Sequence, residues 1–164
     1  MIRKTSIVVL VTLLAGAALS AVAASKSNVA DFSGTWKLNM AKSKGAPDWR
    51  PETVIVVFQS PYQIHFSYFL NPDVAQPFQT LSYPMNGKES ELYVTANEHT
   101  YVSARWDSKK ELQIRTRHVV PGEIGDTAWD ETDLWLLADN GKTLINKLSD
   151  GKVLVYEKQA KDKQ

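Results

Sequence analysis

Between residues 34 and 158 most segments alternate apolar and polar side chains at a period of two, separated by short turn-forming clusters and by two Pro-containing loops over 41–52 and 71–77. That single pattern excludes most folds. Gly34 to Met40 sets Trp36, Leu38 and Met40 against Lys37 and Asn39, while 53–60 contains the continuous apolar run from Val54 to Phe58. Residues 62–70 place Tyr62, Ile64, Phe66, Tyr68 and Leu70 on one face and Gln63, His65 and Ser67 on the other. Segments 79–84 and 91–95 flank Asn86-Gly87, a strong hairpin signal, which predicts that these two strands pair with each other. Further strands are predicted over 100–107, 111–119, 127–138, 143–148 and 152–158, joined by Ser108-Lys109-Lys110, Pro121-Gly122, Asp139-Asn140-Gly141 and Asp150-Gly151. None of these connections is long enough for a helical crossover to a parallel strand, so neighbours in sequence must pair as an antiparallel meander. A flat sheet of this size would expose two long edges, and closure into a barrel removes them. The expected fold is all-β, a single antiparallel meander barrel of 8 to 10 strands, with a two-sheet sandwich as the alternative.

The first 24 residues stand outside this pattern. Arg3 and Lys4 precede an apolar run from Ile7 to Leu19 that ends in Ser20-Ala21-Val22-Ala23-Ala24, the layout of a secretory signal peptide cleaved after Ala23 or Ala24. The run is too short for the roughly 20 apolar residues of a spanning helix, which argues against stable membrane insertion. The expected organisation is a signal peptide over 1–24, a polar lead over 25–31, the barrel over 32–158 and a disordered polar tail over 159–164. A periplasmic or secreted location follows. The full chain has 19 Lys plus Arg against 18 Asp plus Glu, with no basic stripe, so nucleic acid is not expected as a partner. With no cysteine there can be no disulfide, thiolate metal site or lipidated N-terminal Cys.

The segment Phe32-Ser33-Gly34-Thr35-Trp36-Lys37-Leu38 opens the first strand with a Gly-x-Trp element, in which Gly34 permits a tight turn and Trp36 plugs one end of a barrel. Together with the meander and the closing Tyr156-Glu157-Lys158, this resembles the calycin barrels. Lipocalins share the Gly-x-Trp start, and fatty-acid-binding proteins share Gly-Thr-Trp-Lys-Leu and Tyr-Glu-Lys. A set of exported bacterial lipocalin-like proteins is similar in beginning Gly-Thr-Trp-Lys-Leu-Asn followed by Lys-Ser-Lys, as at Lys42-Ser43-Lys44. The resemblance implies a lipocalin-like barrel that carries or sequesters a small ligand.

The chain also departs from these relatives. Fatty-acid-binding proteins place a carboxylate-clamping Arg two residues before the final Tyr, where Leu154 stands here. Their helical lid does not fit a loop over 41–52 that contains Gly45, Pro47 and Pro51. The lipocalin Arg that packs over the Gly-x-Trp indole has only Lys147 or Lys158 as a substitute, and Thr132-Asp133-Leu134 echoes a lipocalin Thr-Asp-Tyr motif without its Tyr.

Catalytic chemistry finds little support. His65, His99 and His118 are scattered singly, which argues against a metal site; His65 and His99 read as solvated, whereas His118 shares parity with Leu112 and Ile114 and can face the interior. No Gly-x-Ser-x-Gly and no glycine-rich phosphate loop occurs, so neither a catalytic residue nor a cofactor is assigned. Asp126, Asp130, Glu131 and Asp133 beside Trp129 and Trp135 resemble a sugar site but read more simply as a solvated outer face. Arg115 and Arg117 are expected outside, paired with acidic side chains. Parity leaves open which face of 100–107 is inward; if Tyr101, Ser103 and Arg105 line the interior, Arg105 supplies the charge that Leu154 lacks.

The chain has 5 Trp, 6 Tyr and 5 Phe, more than the core of a thin barrel requires. The expectation is therefore a non-enzymatic, closed or nearly closed barrel that carries a small apolar or weakly polar ligand and acts as a monomer. Phe66, Tyr68, Tyr101, Arg105, His118, Leu154 and Tyr156 are its expected ligand-binding residues, and Gly34 and Trp36 its structural plug. The alternative is an envelope module with a filled barrel that meets a protein or polysaccharide through its loops.

Overall fold

The computed structural model describes residues 29–46, 52–95 and 97–160. The expected signal peptide, most of the polar lead, Pro47 and Pro51, and the end of the tail lie outside the described residues. Ten strands follow one another: β1 (Gly34–Leu38), β2 (Val54–Gln59), β3 (Gln63–Phe69), β4 (Gln79–Pro84), β5 (Ser90–Val94), β6 (His99–Trp106), β7 (Glu111–Val120), β8 (Thr127–Ala138), β9 (Thr143–Lys147) and β10 (Val153–Lys158). They form one antiparallel sheet in the order β4-β3-β2-β1-β10-β9-β8-β7-β6-β5, with β10 returning to pair with β1. The sheet rolls up until β4 approaches β6, giving a nearly closed barrel rather than a two-sheet sandwich. Apart from a 3-10 turn at Asp139–Gly141, no helix occurs among the described residues.

The predicted hairpin around Asn86-Gly87 is not formed. β4 and β5 are the two edges of the sheet, and the connection between them crosses the seam. Gly87, at φ 72°, adopts the left-handed conformation the dipeptide favours, but its N–H donates to the Ala104 carbonyl on β6 at 3.1 Å. Pro84, at the end of β4, has no N–H to offer a further strand and suits an edge. The turn signal was correct locally, but the barrel's curvature assigned the ladder bonds elsewhere.

Alternation decides the core. Trp36, Leu38, Ile55, Val57, Ile64, Phe66, Val102, Ala104, Leu112, Ile114, Trp135, Leu144 and Tyr156 are buried in a single cluster. The stripe expected over 62–70 is shorter than predicted: Ile64 and Phe66 are fully buried, but Tyr62 is 82% exposed and Leu70 44% exposed, because both fall beyond the ends of β3.

One end of the barrel is sealed. Trp36 and Phe32 are both fully buried, the Trp36 indole Nε1–H donates to the Phe32 carbonyl at 2.9 Å, and Phe32 meets Trp106 edge-on with centroids 5.3 Å apart. Gln59 straps the incoming chain: its Oε1 accepts the Phe32 N–H at 3.0 Å and its Nε2 donates to the Ala30 carbonyl at 2.9 Å. Gly34, at φ 140°, holds a backbone conformation that residues with a side chain rarely adopt, and a Cβ there would press within 3.0 Å of the flexible end of Lys158. Lys158 Nζ in turn lies 4.9 Å from the Trp36 ring centroid, so of the two lysines the sequence offered, this one covers the indole.

Candidate functional site

Toward the opposite end the same inward-facing rows do not fill the barrel. They enclose a cavity of about 430 Å³, walled by apolar and aromatic side chains that include Leu38, Tyr68, Leu81, Trp135, Leu154 and Tyr156. Its floor is the sealed core, where Phe66 packs against Trp135 with ring centroids 4.5 Å apart.

Tyr68, Leu154 and Tyr156, chosen from the sequence, all line this space, and Phe66 lies fully buried beneath it. Burial pushes the phenols of Tyr68, Tyr83 and Tyr156 well above their usual titration range, so they remain neutral hydroxyls at physiological pH.

Tyr101 and Arg105 do not reach the cavity. On β6 the buried residues are Thr100, Val102 and Ala104, which turns Tyr101, Ser103 and Arg105 to the outside. There Arg105 Nε donates to Gln113 Oε1 at 2.8 Å, and Tyr101 lies under the Arg117 guanidinium at 4.8 Å. Arg115 and Arg117 occupy the same outer surface, paired with Asp130 and Glu89 at 2.7 and 2.9 Å. Small residues inside and long polar ones outside are what a tightly curved strand accommodates.

His118 shares the inward parity but stands beyond the cavity walls, toward the open rim. Its Nδ1 is 2.6 Å from Glu98 Oε1, and its ring stacks on Trp129 with centroids 4.8 Å apart. The Glu98 carboxyl is held below its usual range, first by that hydrogen bond. Among the described residues, no group of three His, Asp or Glu side chains is disposed to hold a metal ion.

The acidic run on β8 is split by the pleat rather than forming one solvated face. Asp130 points outward to Arg115, whereas Asp133 is carried inward opposite Ile114 and lines the cavity. Burial raises the Asp133 carboxyl above its usual range; Glu131 and Asp150 add to the effect, and the Ser149 N–H, donating to Asp133 Oδ1 at 3.2 Å, partly opposes it. Asn146, opposite Trp135 on β9, is 4% exposed, and its Oδ1 has no hydrogen-bond partner among the described residues. No Lys, Arg or His is among the described residues lining the cavity. Sequence reasoning singled out Asp133 in the Thr132-Asp133-Leu134 echo and in the acidic run but read that run as an outer face, and it did not single out Asn146; the parity Asp133 shares with Trp135 was equally compatible with an outward row.

No protein-family model and no curated protein matches the sequence. Among solved structures, a mutant of the fluorescent protein UnaG superposes with a TM-score of 0.51 at 14% identity, covering 79% of this chain and 97% of that one. Secretory abundant heat soluble protein 4 from Ramazzottius varieornatus gives a TM-score of 0.47 at 14% identity, covering 79% of this chain and 95% of its own. The fold is a calycin-like barrel. At this identity the likeness to UnaG concerns the fold alone.

Proposed function

We propose that this chain is an exported, monomeric, non-enzymatic carrier or sequestering protein for a small, largely apolar ligand held in the barrel lumen. The observation that carries the reading is the cavity of about 430 Å³ above a sealed aromatic floor, a volume within the range of small-molecule sites. A barrel serving only as a scaffold for its loops has no need of that space, so the cavity favours a carrier over a filled envelope module. Export is supported by the layout of residues 1–24. Leu154, on the wall where fatty-acid-binding proteins place an Arg, and the absence of basic side chains among the described lining residues both disfavour free carboxylates.

Titration with a neutral solvatochromic dye such as Nile red tests the reading. Saturable, one-to-one enhancement, displaced by long-chain alcohols, is expected. A linear response, together with native mass spectra showing no small molecule on protein purified from its own host, would overturn it. Intact mass of the protein from the cell envelope tests export, with loss of the first 23 or 24 residues as the expected result.

A further inference from the structure

The lumen has hydroxyl and amide groups from Thr53, Gln79, Thr116 and the three phenols, and beside them two acceptors that stand apart. Asp133 brings a carboxylate into a wall that holds no basic side chain among the described residues. Asn146 brings a carbonyl oxygen that is buried and without a partner. An orphaned buried acceptor and a half-buried carboxylate each carry a desolvation penalty in the empty protein, and a donor entering the lumen relieves both. The two side chains are close in the sheet: Trp135 is opposite Asn146, and Asp133 is the next inward residue along β8. The surrounding wall, including Leu38, Leu81, Leu154 and Trp135, suits a hydrocarbon or ring system.

Resting on the carrier reading, we propose that the lumen selects apolar amines, with the ligand's ammonium group set against the Asp133 carboxylate and donating to Asn146 Oδ1. A carboxylate ligand would meet a like charge at the same place. An alcohol would satisfy one acceptor without compensating the charge. An ammonium group has three donors and the opposite charge, and so answers both residues at once.

The test uses decylamine, decanol and decanoate as competitors for Nile red at neutral pH, on the purified protein and on Asp133→Asn, Asn146→Leu and Asp130→Asn. The amine is expected to displace the dye at least about tenfold better than the alcohol, with the acid weakest, as befits a charge-assisted contact. Asp133→Asn should remove most of the amine's advantage over the alcohol, while leaving the alcohol's own affinity within about twofold, and Asn146→Leu should reduce the advantage in part. Asp130→Asn, on the outer face of the same strand, should leave the ratio unchanged and so excludes general attraction to surface charge. Equal binding of amine and alcohol by the unaltered protein, or an amine preference that survives Asp133→Asn, would overturn the inference while leaving the carrier reading standing. Failure of the dye and all three competitors to bind would overturn both.

Discussion

The two ends of the barrel are built from the same alternating strands but satisfy their polar groups in opposite ways. At the sealed end the indole N–H of Trp36 and both ends of the Gln59 amide have protein partners, and Phe32, Trp36 and Trp106 interlock. At the open end the wall holds a carboxyl raised by burial and an amide oxygen with no partner. Under the proposed carrier function, satisfied polar groups at one end and a deficit at the other divide the labour: one end supplies stability, and the other keeps groups available for a ligand.

Substitutions can break or sharpen this contrast. The largest effect is expected from Trp36→Ala, which removes a fully buried indole together with its hydrogen bond. A loss of about 3–5 kcal/mol in urea-unfolding free energy is expected, and a loss under about 1 kcal/mol would show that the sealed end is not the stable one. Gln59→Ala leaves the Phe32 N–H and the Ala30 carbonyl without their partner and should lower stability by about 1–3 kcal/mol in the same measurement.

At the open end the expected effects fall on ligand preference rather than stability. Leu154→Arg, made with Asp133→Asn so that the new guanidinium is not neutralised within the lumen, should favour a long-chain carboxylate over the matching alcohol by about 1 kcal/mol or more in competition titrations. Equal affinities for acid and alcohol in this variant would mean that position 154 does not contact the ligand.

The smallest effect concerns Asp133 alone. Because its folded carboxyl is raised above the unfolded value, the ionised form is disfavoured by folding at neutral pH, and that penalty disappears as pH falls through the raised value toward the ordinary one. Asp133→Asn should therefore stabilise the unliganded protein at neutral pH by about 0.5 kcal/mol or less, given its partial exposure to solvent, with no gain in acid. A destabilisation at neutral pH in paired thermal melts would show that the carboxylate has a stabilising partner.

What the sequence determined by itself was the strand pattern, the meander and the sealed end. Each depends on neighbours close along the chain or on a local requirement, such as the positive φ at Gly34 or the alternation that buries Ile64 and Phe66. Leu154 and Tyr156 were placed inside by the resemblance at Tyr156-Glu157-Lys158 rather than by alternation, and the pairing of Tyr156 with Leu38 on β1 is what carries them to the cavity wall. Only the tertiary structure decided which face turns inward on the strands whose facing the alternation left open. On β6 the choice placed Tyr101 and Arg105 outside, and on β8 it brought Asp133 in while leaving Asp130 out. The same holds for the seam, where the Asn86-Gly87 turn formed without its hairpin because closure gave the Gly87 N–H to β6. A period of two specifies two faces but not which is inside; that is fixed when a strand with an unambiguous apolar face, such as β3, sets the register of the whole sheet.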